Sequence, residues 1–441
     1  MAEECELFHR FVKYRHVSNR RRLAFFRHRL LTVGRDDQRL ESDHHRKRGM
    51  SMRIRHSILA FIAAGLPALC GAQTVPMPPP SLTVNGKSAA TPSAQFGIKA
   101  SGNTLVSTLD GSAVELIGAN LSGLENGQSP SYWTAYANST VAFWQSLNNY
   151  QGSGINVIRL QLNSAYWLGY ACGFSASAYQ STVQHVVSTA NQAGLYVILA
   201  LFWDAPGTTC PTGQGGMPTA NATAFWKSIA DTFKGNNAVI FELFNEPFGN
   251  NTSAEWNVGG PDIPILANGG NFTPFLAQNN VGGSGFITTN ITYPVAGEIA
   301  LLQTIRATGA TNLVLASTGY WDGDPNIWLN IYNTNGNPDS LKNFGATWHD
   351  YPGWTGGPSS ALGIIAAGYP LVITETYGFD ANLNAVGNFT TGGAGISETP
   401  GYAYARSQDI GYICGWQVND WSGQTTLSLT ATPPWSGCAS Q

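Results

Sequence analysis

The sequence predicts an eight-stranded parallel β/α barrel with a short N-terminal β-hairpin and long loops at the carboxyl ends of the strands. From about residue 95, short runs rich in Val, Ile, Leu and aromatic residues alternate with longer amphipathic or Ala-rich segments. Eight of these runs are apolar almost throughout, which is typical of parallel strands buried on both faces. A unit of roughly 340 residues favours a closed barrel over an open doubly wound sheet. No Gly-rich phosphate loop follows the first strand, which argues against a dinucleotide-binding fold.

The positions of the elements follow from the same alternation. A hairpin with an Asp110–Gly111 turn opens the domain, because Asp-Gly between apolar residues favours a tight turn. The predicted strands cover 114–119, 155–161, 195–202, 238–244, 312–317, 344–349, 370–375 and 411–418. The predicted helices cover 138–150, 177–193, 219–234, 292–308, 358–367 and 398–409. The Gly- and Asn-rich segment from about 248 to 290 is predicted as one long loop, of a length that usually serves function.

The chain divides into a basic upstream segment, a signal peptide, a Pro/Ser-rich linker and a large folded domain, at 1–49, 50–72, 73–94 and 95–441. The upstream segment is expected to lie outside the mature protein, with a nucleic-acid or membrane arm as the alternative. The second segment has a basic start, an apolar stretch and small residues, the pattern of a secretory signal cleaved after Ala72. Its apolar stretch is shorter than the ~20 residues of a membrane helix. A lipid-modified Cys70 is the alternative.

Charge is distributed unevenly along the chain. Of the 23 Lys and Arg residues, 15 lie within residues 1–55, which leaves 8 basic and 19 acidic residues from position 56 onward. Because phosphate binding needs clustered Lys and Arg, this acidic body argues against a nucleic-acid partner.

Four cysteines follow the predicted signal. Export to an oxidising compartment makes disulfides expected, and four cysteines allow three pairings. Proximity along the chain favours Cys172 with Cys210 and Cys414 with Cys438. The spacings match no zinc signature, so no metal site is predicted.

Polar and aromatic residues are concentrated where the predicted strands end, which is where β/α barrels carry their chemistry. These residues are Asn120, Arg159, Trp203, Asp204, Asn245, Glu246, His349, Tyr351, Glu375 and Trp416. Glu246 and Glu375 end the fourth and seventh strands, so a closed barrel makes them face one another. Cleavage of a glycosidic bond with retention needs two carboxyl groups ~5–5.5 Å apart, one as nucleophile and one as acid and then base.

The alternative is that each glutamate only ends a strand or pairs with a surface cation, but eight basic residues in the body leave few such partners. Arg159, at the end of the second strand, could keep Glu375 charged. Glu242 shares a strand face with Glu246 and lies deeper in the barrel. We therefore expect Glu242 to bond Arg159 or another buried donor rather than to act in catalysis.

Five motifs occur in the order and spacing of a known family. They are VIRL at 157–160, IFELFNEP at 240–247, WHDYPG at 348–353, PLVITETYG at 370–378 and GWQVNDWSG at 415–423. Together they resemble glycoside hydrolase family 5, in the superfamily of retaining β/α-barrel glycosidases. The resemblance runs from about residue 95 to the end of the chain.

The resemblance implies that Glu246 is the general acid/base and that Glu375 is the nucleophile of a double displacement. It further implies that Asn245 bonds the sugar 2-hydroxyl and that Arg159 and Tyr351 orient Glu375. His349 would lie near the acid/base, and Trp416 would pack under the sugar being cleaved. It implies no cofactor.

One position departs from the family pattern. The family usually carries a His after the third strand, in a pattern like Leu-Asp-x-His, whereas this sequence reads LALFWDAPG at 199–207. After the signal only His185 and His349 remain, and His185 lies within a predicted helix. Trp203 or Asp204 is therefore expected at the vacated position. The departure puts the substrate in question, although not the chemistry of the two glutamates.

The tryptophans favour a sugar ligand, because C–H groups on pyranose faces pack on flat aromatic rings. The predicted rim loops hold Trp133, Trp167, Trp203, Trp256, Trp321, Trp354 and Trp421. Core packing is the alternative, and it is predicted for Trp144 and Trp226, which lie on helix patterns. Glu125, after the first strand, is a further candidate for contact with a distal sugar, with a solvated loop acid as the alternative.

We therefore expect a secreted, monomeric enzyme, extracellular or periplasmic, that hydrolyses a polysaccharide or oligosaccharide. The expected activity is that of an endo-β-glycanase, with β-1,4-glucan such as cellulose as the first substrate. Mannanase, xyloglucanase or another β-glucanase activity is the first alternative. A sugar-binding protein without catalysis is the second, although the presence of Glu246, Glu375, Arg159 and Tyr351 argues against it. A structural surface protein would not need these groups.

Overall fold

A computed structural model gives the fold of the chain. It describes residues 96–121, 123–125, 130–148, 155–170, 172–208, 210–211, 213–248, 262–273, 292–333, 336–350, 358–376 and 410–414. The upstream segment, the signal peptide, the linker and the predicted helix at 398–409 lie outside these ranges, so those assignments stay predictions. No helix within the ranges is both long and apolar enough to span a membrane.

Twelve strands are present in the described residues. In chain order they are β1 (Ile98–Ser101), β2 (Thr104–Ser107), β3 (Ile117–Leu121), β4 (Val157–Asn163), β5 (Tyr196–Trp203), β6 (Val239–Glu242), β7 (Gly270–Phe272), β8 (Tyr293–Val295), β9 (Val314–Ala316), β10 (Phe344–Asp350), β11 (Leu371–Thr376) and β12 (Gly411–Cys414). Eight of them, β3 to β6 and β9 to β12, close into a barrel whose ring order is the chain order. All the pairings around the ring are parallel. The predicted barrel is confirmed.

The N-terminal hairpin is formed by β1 and β2, which pair antiparallel. Strand β1 was missing from the prediction because its sequence, IKAS, is short and only half apolar. The predicted Asp110–Gly111 turn also forms, since Gly111 adopts a φ of 75° and an antiparallel bridge joins Val106 to Ala113.

The helices surround the barrel on the outside. They are α1 (Pro130–Ala137), α2 (Val141–Asn148), α3 (Ser164–Leu168), α4 (Ala176–Gln192), α5 (Asn221–Phe233), α6 (Asp262–Asn268), α7 (Glu298–Ala307), α8 (Pro325–Trp328), which continues as a π-helical turn at Leu329–Asn333, and α9 (Pro358–Ala366). Trp144 on α2 and Trp226 on α5 are fully buried, as predicted for core residues.

Two predicted boundaries between β6 and β9 are wrong. The helix predicted over 292–308 begins only at Glu298, because Tyr293 to Val295 pairs with β7 and Gly297 is extended, with a φ of −65° and a ψ of 140°. The segment from 248 to 290 is not one loop, since α6 and β7 fold within its described part. Both elements are short, which leaves little periodicity for the sequence to display.

An apolar cluster fills the N-terminal end of the barrel interior, and we call it the floor cluster. Its buried members are Leu116, Val157, Tyr196, Ile198, Ala238, Ile240, Leu313, Leu315, Val372 and Ile413, together with Ile98 and Leu105 of the hairpin. Phe96 stacks on Tyr196 with ring centroids 4.7 Å apart. The hairpin therefore closes this end of the barrel, and chemistry is left to the other end.

A disulfide joins Cys172, after α3, to Cys210, after β5, with 5.2 Å between the Cα atoms. This confirms the first predicted pairing. The second pairing needs Cys438, which lies outside the described residues, so Cys414 with Cys438 stays a prediction.

Candidate active site

Arg159 lies on β4 one pleat above the floor cluster and donates all five of its N–H groups. Nε and Nη2 donate to the two carboxylate oxygens of Glu242, at 2.8 and 2.6 Å. Nη2 also donates to Asn245 Oδ1 at 2.7 Å. Nη1 donates to Asn120 Oδ1 at 2.9 Å and to Glu375 Oε1 at 2.7 Å. The predicted contacts of Arg159 with Glu242 and Glu375 are confirmed, and one side chain links residues from four strands or strand ends.

The charges in this layer favour an ionised Glu375. Burial by itself would lower the pKa of Arg159, but the negative charges of Glu242 and Glu375 outweigh it, and the pKa is raised. The guanidinium therefore keeps its charge at every pH of interest. A fixed cation within hydrogen-bond distance stabilises the carboxylate form of Glu375.

Arg159 fixes the orientation of the Asn245 side-chain amide. Because Oδ1 accepts from the guanidinium, the NH₂ group must point to the other side. Asn245 is fully buried, and Nδ2 has no hydrogen-bond partner among the described residues. A buried donor without a partner is costly unless a ligand accepts from it. This is the geometry that a contact with a sugar hydroxyl requires.

Glu246 lies at the opening, close to Glu375 but in different surroundings. One carboxylate oxygen of Glu246 and one of Glu375 lie within 4.8 Å of one another. The Glu246 side chain is 14% exposed, against 2% for Glu375. Burial raises the pKa of Glu246 to about 7, against the lowering effects of a Gln214 hydrogen bond and of the Arg159 charge. Glu246 therefore holds its proton at a pH where an ordinary carboxyl has lost it.

His349, at the end of β10, lies between the two glutamates. Its Nδ1 is 2.9 Å from Glu246 Oε1 and 3.6 Å from Glu375 Oε2. Burial lowers the pKa of His349 to about 4, against the raising effect of the Glu375 charge. The imidazole is therefore neutral above that pH, and it can share one proton with Glu246 without adding a charge. His349 thus lies beside Glu246, as predicted, and the catalytic role of Glu246 stays a prediction.

Asp322, in the loop after β9, holds the backbone of Glu246, and the sequence reasoning missed it. Its Oδ2 accepts from Glu246 N at 2.7 Å, and its Oδ1 accepts from Thr318 N at 2.8 Å. Glu246 has a φ of 46°, in the left-handed region. Tyr320, Trp321 and Asp322 are also left-handed, with φ of 50°, 63° and 53°. Such backbone is costly for residues other than glycine and persists where surrounding contacts hold it. The polar loop sequence WDGD at 321–324, which follows a barrel strand, was the feature that could have indicated Asp322.

A comparison with protein-family models agrees with this pair of carboxyl groups at the mouth of a barrel. The family model described as Cellulase (glycosyl hydrolase family 5) matches residues 109–420. The chain belongs to glycoside hydrolase family 5. It is therefore a glycoside hydrolase, and the predicted family and enzyme class are confirmed.

Several solved structures resemble this family 5 chain. The catalytic domain of a mannanase from Streptomyces sp. SirexAA-E matches with 17% identity and a TM-score of 0.49, covering 82% of this chain and 95% of that one. An endo-β-1,4-glucanase from Xanthomonas axonopodis pv. citri matches with 18% identity and a TM-score of 0.47, covering 74% and 98%. A mannotriose complex of Thermomonospora fusca β-mannanase matches with 18% identity and a TM-score of 0.46, covering 74% and 86%. A search among curated protein sequences returned no significant match.

Two of the polar residues predicted at the strand ends, where substrate would bind, have protein partners in this glycoside hydrolase. Asn120 is 2% exposed, accepts from Arg159 and donates from Nδ2 to the Thr374 carbonyl at 2.9 Å. Asp204 is fully buried, and its oxygens accept from Ser164 Oγ and from Thr219 N. The structure thus places both side chains in support of the barrel mouth, because each polar atom already has a protein partner.

Glu125 and Trp203 remain candidates for the cleft. Glu125 is 4% exposed, and one of its oxygens accepts from Gly123 N at 2.6 Å. Burial raises its pKa to about 7, so Glu125 is not the solvated loop acid of the alternative reading. Trp203 is 9% exposed and belongs neither to the floor cluster nor to the larger apolar cluster between the barrel and the helices. Trp203 ends β5, at the position where family 5 usually carries a histidine.

The tryptophans assigned to rim loops divide into two groups. Trp133 on α1 and Trp167 on α3 are buried among aromatic rings, so the predicted rim position of these two is wrong. Both lie in short helices that the sequence pattern did not indicate. Trp321 is half-buried and stacks on Phe248, with ring centroids 4.2 Å apart and planes 10° apart.

The remaining sequence candidates lie outside the described residues. They are Tyr351, Trp354 and Trp416, together with Trp256 and Trp421, and their proposed roles stay predictions. Two sets of side chains have the spacing that a metal ion could use, namely Glu242, Asp322 and His349, and Glu246, His349 and Glu375. Both oxygens of Glu242 already accept from Arg159. The expectation that no metal takes part therefore stays a prediction.

Proposed function

We propose that this family 5 enzyme is a secreted, retaining endo-β-glycanase that acts first of all on β-1,4-glucan. The observation that carries the reaction type is the approach of the Glu246 and Glu375 carboxylate oxygens to within 4.8 Å. Retention by double displacement uses carboxyl groups ~5–5.5 Å apart, whereas inversion needs roughly 6.5–9.5 Å to admit a water molecule. The two groups also differ in charge as the two roles require.

In the first half of the reaction, Glu246 donates its proton to the glycosidic oxygen. A carboxylate oxygen of Glu375 attacks the anomeric carbon, the bond to the leaving sugar breaks, and a glycosyl ester forms. Arg159 holds Glu375 in place through Oε1. The free Nδ2 of Asn245 is the donor for a hydroxyl of the sugar being cleaved, a bond that supports the transition state.

In the second half, Glu246 is a carboxylate and removes a proton from water. The water oxygen attacks the anomeric carbon, the ester bond to Glu375 breaks, and the product keeps the original configuration. His349 adjoins both glutamates and is neutral at neutral pH, so it does not oppose either charge state. Tyr351 and Trp416 complete the site in this proposal, beside Glu375 and beneath the sugar.

The substrate assignment is supported by the family model, whose description is cellulase. Mannan, xyloglucan and mixed-linkage glucan are the alternatives, because Trp203 ends β5 in place of a histidine. Secretion is supported by the signal-like sequence at 50–72 and by the disulfide of Cys172 with Cys210, a bond that persists in oxidising compartments. We propose a monomer.

The test compares the protein with its Glu375→Gln variant on carboxymethylcellulose, mannan, xyloglucan and mixed-linkage glucan, with sizing of the products. We expect kcat to fall on the order of 10⁴-fold or more in the variant, the scale for loss of a nucleophile. Proton NMR of the first product should show the retained anomer. Internal cleavage should give a range of oligosaccharides.

Glu298→Gln is the matched control. Glu298 is also a buried glutamate with a pKa raised by burial to about 7, but its carboxylate contacts Ser317 and Tyr332 behind the strand ends. This variant should lose stability and keep most of kcat. Equal turnover by Glu375→Gln and the parent would remove Glu375 as nucleophile, and an inverted product would contradict the double displacement.

A further inference from the structure

We infer that Gln161 is a sugar-binding residue of the cleft, whose amide bonds hydroxyl groups of the substrate chain. The inference rests on the proposed function in one respect, namely that the cleft binds a carbohydrate. It goes beyond that function because neither the sequence pattern nor the family motifs single out Gln161.

The direction of the Gln161 side chain follows from its strand. Residues of β4 alternate between the two faces of the sheet. Leu160 and Leu162 belong to the outer cluster that the helices cover, so Gln161 between them points into the barrel. Arg159 points the same way and holds Glu375. Two residues along a strand span roughly 6.6 Å, so Gln161 lies one pleat nearer the mouth than Arg159.

Gln161 is fully buried, and neither Oε1 nor Nε2 has a hydrogen-bond partner in the part of the chain that the structure describes. Among the described residues, no other amide side chain has both of its polar atoms buried and unpartnered. Most buried side-chain polar groups in proteins are bonded, so an orphan amide needs an explanation. Asn245 Nδ2 at the same mouth is in the same state. Two orphan amides at one mouth indicate a shared polar ligand.

The neighbours of Gln161 leave its amide available. Across the sheet its partner in register on β5 is Ala200, which has no polar side-chain atom. The next strand places Glu242 opposite Ala200, but both Glu242 oxygens accept from Arg159. The end of β5 itself carries Trp203, where a family 5 histidine would offer ring nitrogens. On the adjoining strand β4, Asn163 is in register with Trp203, but its amide already bonds the Glu125 carbonyl and Ala165 N. Gln161 therefore has the amide on β4 that can replace such a donor.

The chemistry of the amide fits a sugar better than an ion. An amide offers two N–H donors and one carbonyl acceptor in a plane. Neighbouring hydroxyl groups of a pyranose can each donate and accept, so one Gln can bond two of them. Sites that hydrogen-bond a hydroxyl also discriminate strongly against ligands that lack it. Gln161 is thus expected to contribute to the choice among β-glycans.

The experiment measures oligosaccharide binding in a Glu375→Gln background, where turnover does not interfere. Cellohexaose and mannohexaose are titrated by calorimetry into this protein and into the same protein carrying Gln161→Met. Methionine has a similar length and no amide. We expect the Kd for the hexaose that the parent binds to rise roughly tenfold or more, the effect of lost and unreplaced hydrogen bonds.

The melting temperature gives a second readout with the opposite sign. Removing a buried, unpartnered amide relieves its desolvation penalty, so Gln161→Met should melt at the same or a higher temperature. A residue with a structural role would show the reverse, a lower melting temperature with an unchanged Kd. Gln192→Met is the control, because Gln192 is exposed on α4 and bonds Ser188 in its own helix. It should change neither quantity.

The outcomes separate this inference from the proposed function. If Gln161→Met leaves the Kd of the Glu375→Gln protein unchanged while the unmodified protein hydrolyses its substrate, the role of Gln161 is overturned and the reaction stands. A weakened Kd without hydrolysis by the parent would support Gln161 and overturn the reaction. If neither hexaose binds the parent and no polysaccharide is cleaved, both fail.

Discussion

The two ends of the barrel interior differ in composition, apolar at the floor and polar at the mouth. On a single strand the change occurs between inward-facing residues two positions apart. On β4, Val157 lies in the floor cluster and Arg159 in the polar layer above it. On β6, Ile240 and Glu242 stand in the same relation. The lower residues are members of the apolar floor cluster, whereas the upper ones bond one another across the barrel. The comparison indicates that the floor carries stability and the mouth carries chemistry.

Backbone strain divides in the same way. Of the five left-handed residues other than glycine in the described chain, four lie at the mouth: Glu246, Tyr320, Trp321 and Asp322. The fifth, Lys342, precedes β10 at the opposite end. Strained backbone is often found at functional sites, where surrounding contacts hold it. Substitutions at the two ends should therefore affect different quantities.

The largest expected effect is on stability and comes from the floor. Ile240→Ala should lower the free energy of unfolding by about 2–5 kcal/mol, because it leaves a cavity in a fully buried cluster. Turnover per folded molecule should stay unchanged, which denaturant unfolding and kinetics below the transition together would measure. Ile240→Val should cost only about 0.5–1.5 kcal/mol. A large loss of kcat at full folding would contradict the division.

The next effect is on catalysis and comes from the mouth. Asp322→Ala removes the acceptor of Glu246 N–H and releases the left-handed backbone that orients Glu246, the proposed acid/base. We expect kcat to fall about 10- to 100-fold with a smaller change in KM, since slight misplacement of a catalytic group costs about that much.

Asp324→Ala is the matched control from the same loop. Asp324 accepts from Asn326 N at 2.9 Å as the N-cap of α8 and does not contact the glutamates. Its loss should cost about 1 kcal/mol of stability and leave kcat nearly unchanged. If the two variants lose kcat equally, Asp322 has no special part in positioning Glu246.

The smallest expected effect is that of pH. Glu246 must be protonated to act as the acid, and its pKa is raised to about 7, so activity is present below that pH and is lost above it. The kcat/KM at pH 8 should be about tenfold below its value at pH 6. His349 has a pKa lowered to about 4, so it adds no step across that range.

Glu246→Gln should remove the alkaline step while lowering the rate most for substrates with poor leaving groups. If the step persists in that variant at an unchanged pH, it belongs to another group. Activity that rises from pH 6 to pH 8 in the parent would contradict the acid role.

The strands were predictable because each is a continuous apolar run, and such runs reflect burial on both faces of one element. The short pair β7 and β8 and the helices α1 and α3 were not predictable. A three-residue strand, or a helix of five or eight residues, has too few positions to show a clear period. Trp133 and Trp167 were misplaced for this reason, since the helices that bury them were not seen.

Within the site, the positions of Glu246, Glu375, Arg159 and His349 were predictable because each lies in or just after an apolar run that forms a barrel strand. Parallel strands in a closed barrel bring such residues to one rim. The partners of Asn120 and Asp204 were not, because they are backbone or side-chain atoms far away in the chain. Asn120 bonds the carbonyl of Thr374, which is 254 positions further along. Asp322 and Gln161 carried no motif.

The residue pattern was enough to predict the barrel and the family and to place Glu246 and Glu375 at one rim, because these depend on periodicity, on motifs and on position along a strand. Only the folded chain decided which polar atoms bond one another and which are left without a partner. Hydrogen bonds depend on angstrom-scale positions of residues from different strands. For that reason only the folded chain shows that Asn120 supports Arg159 and that Gln161 is a candidate for binding the substrate.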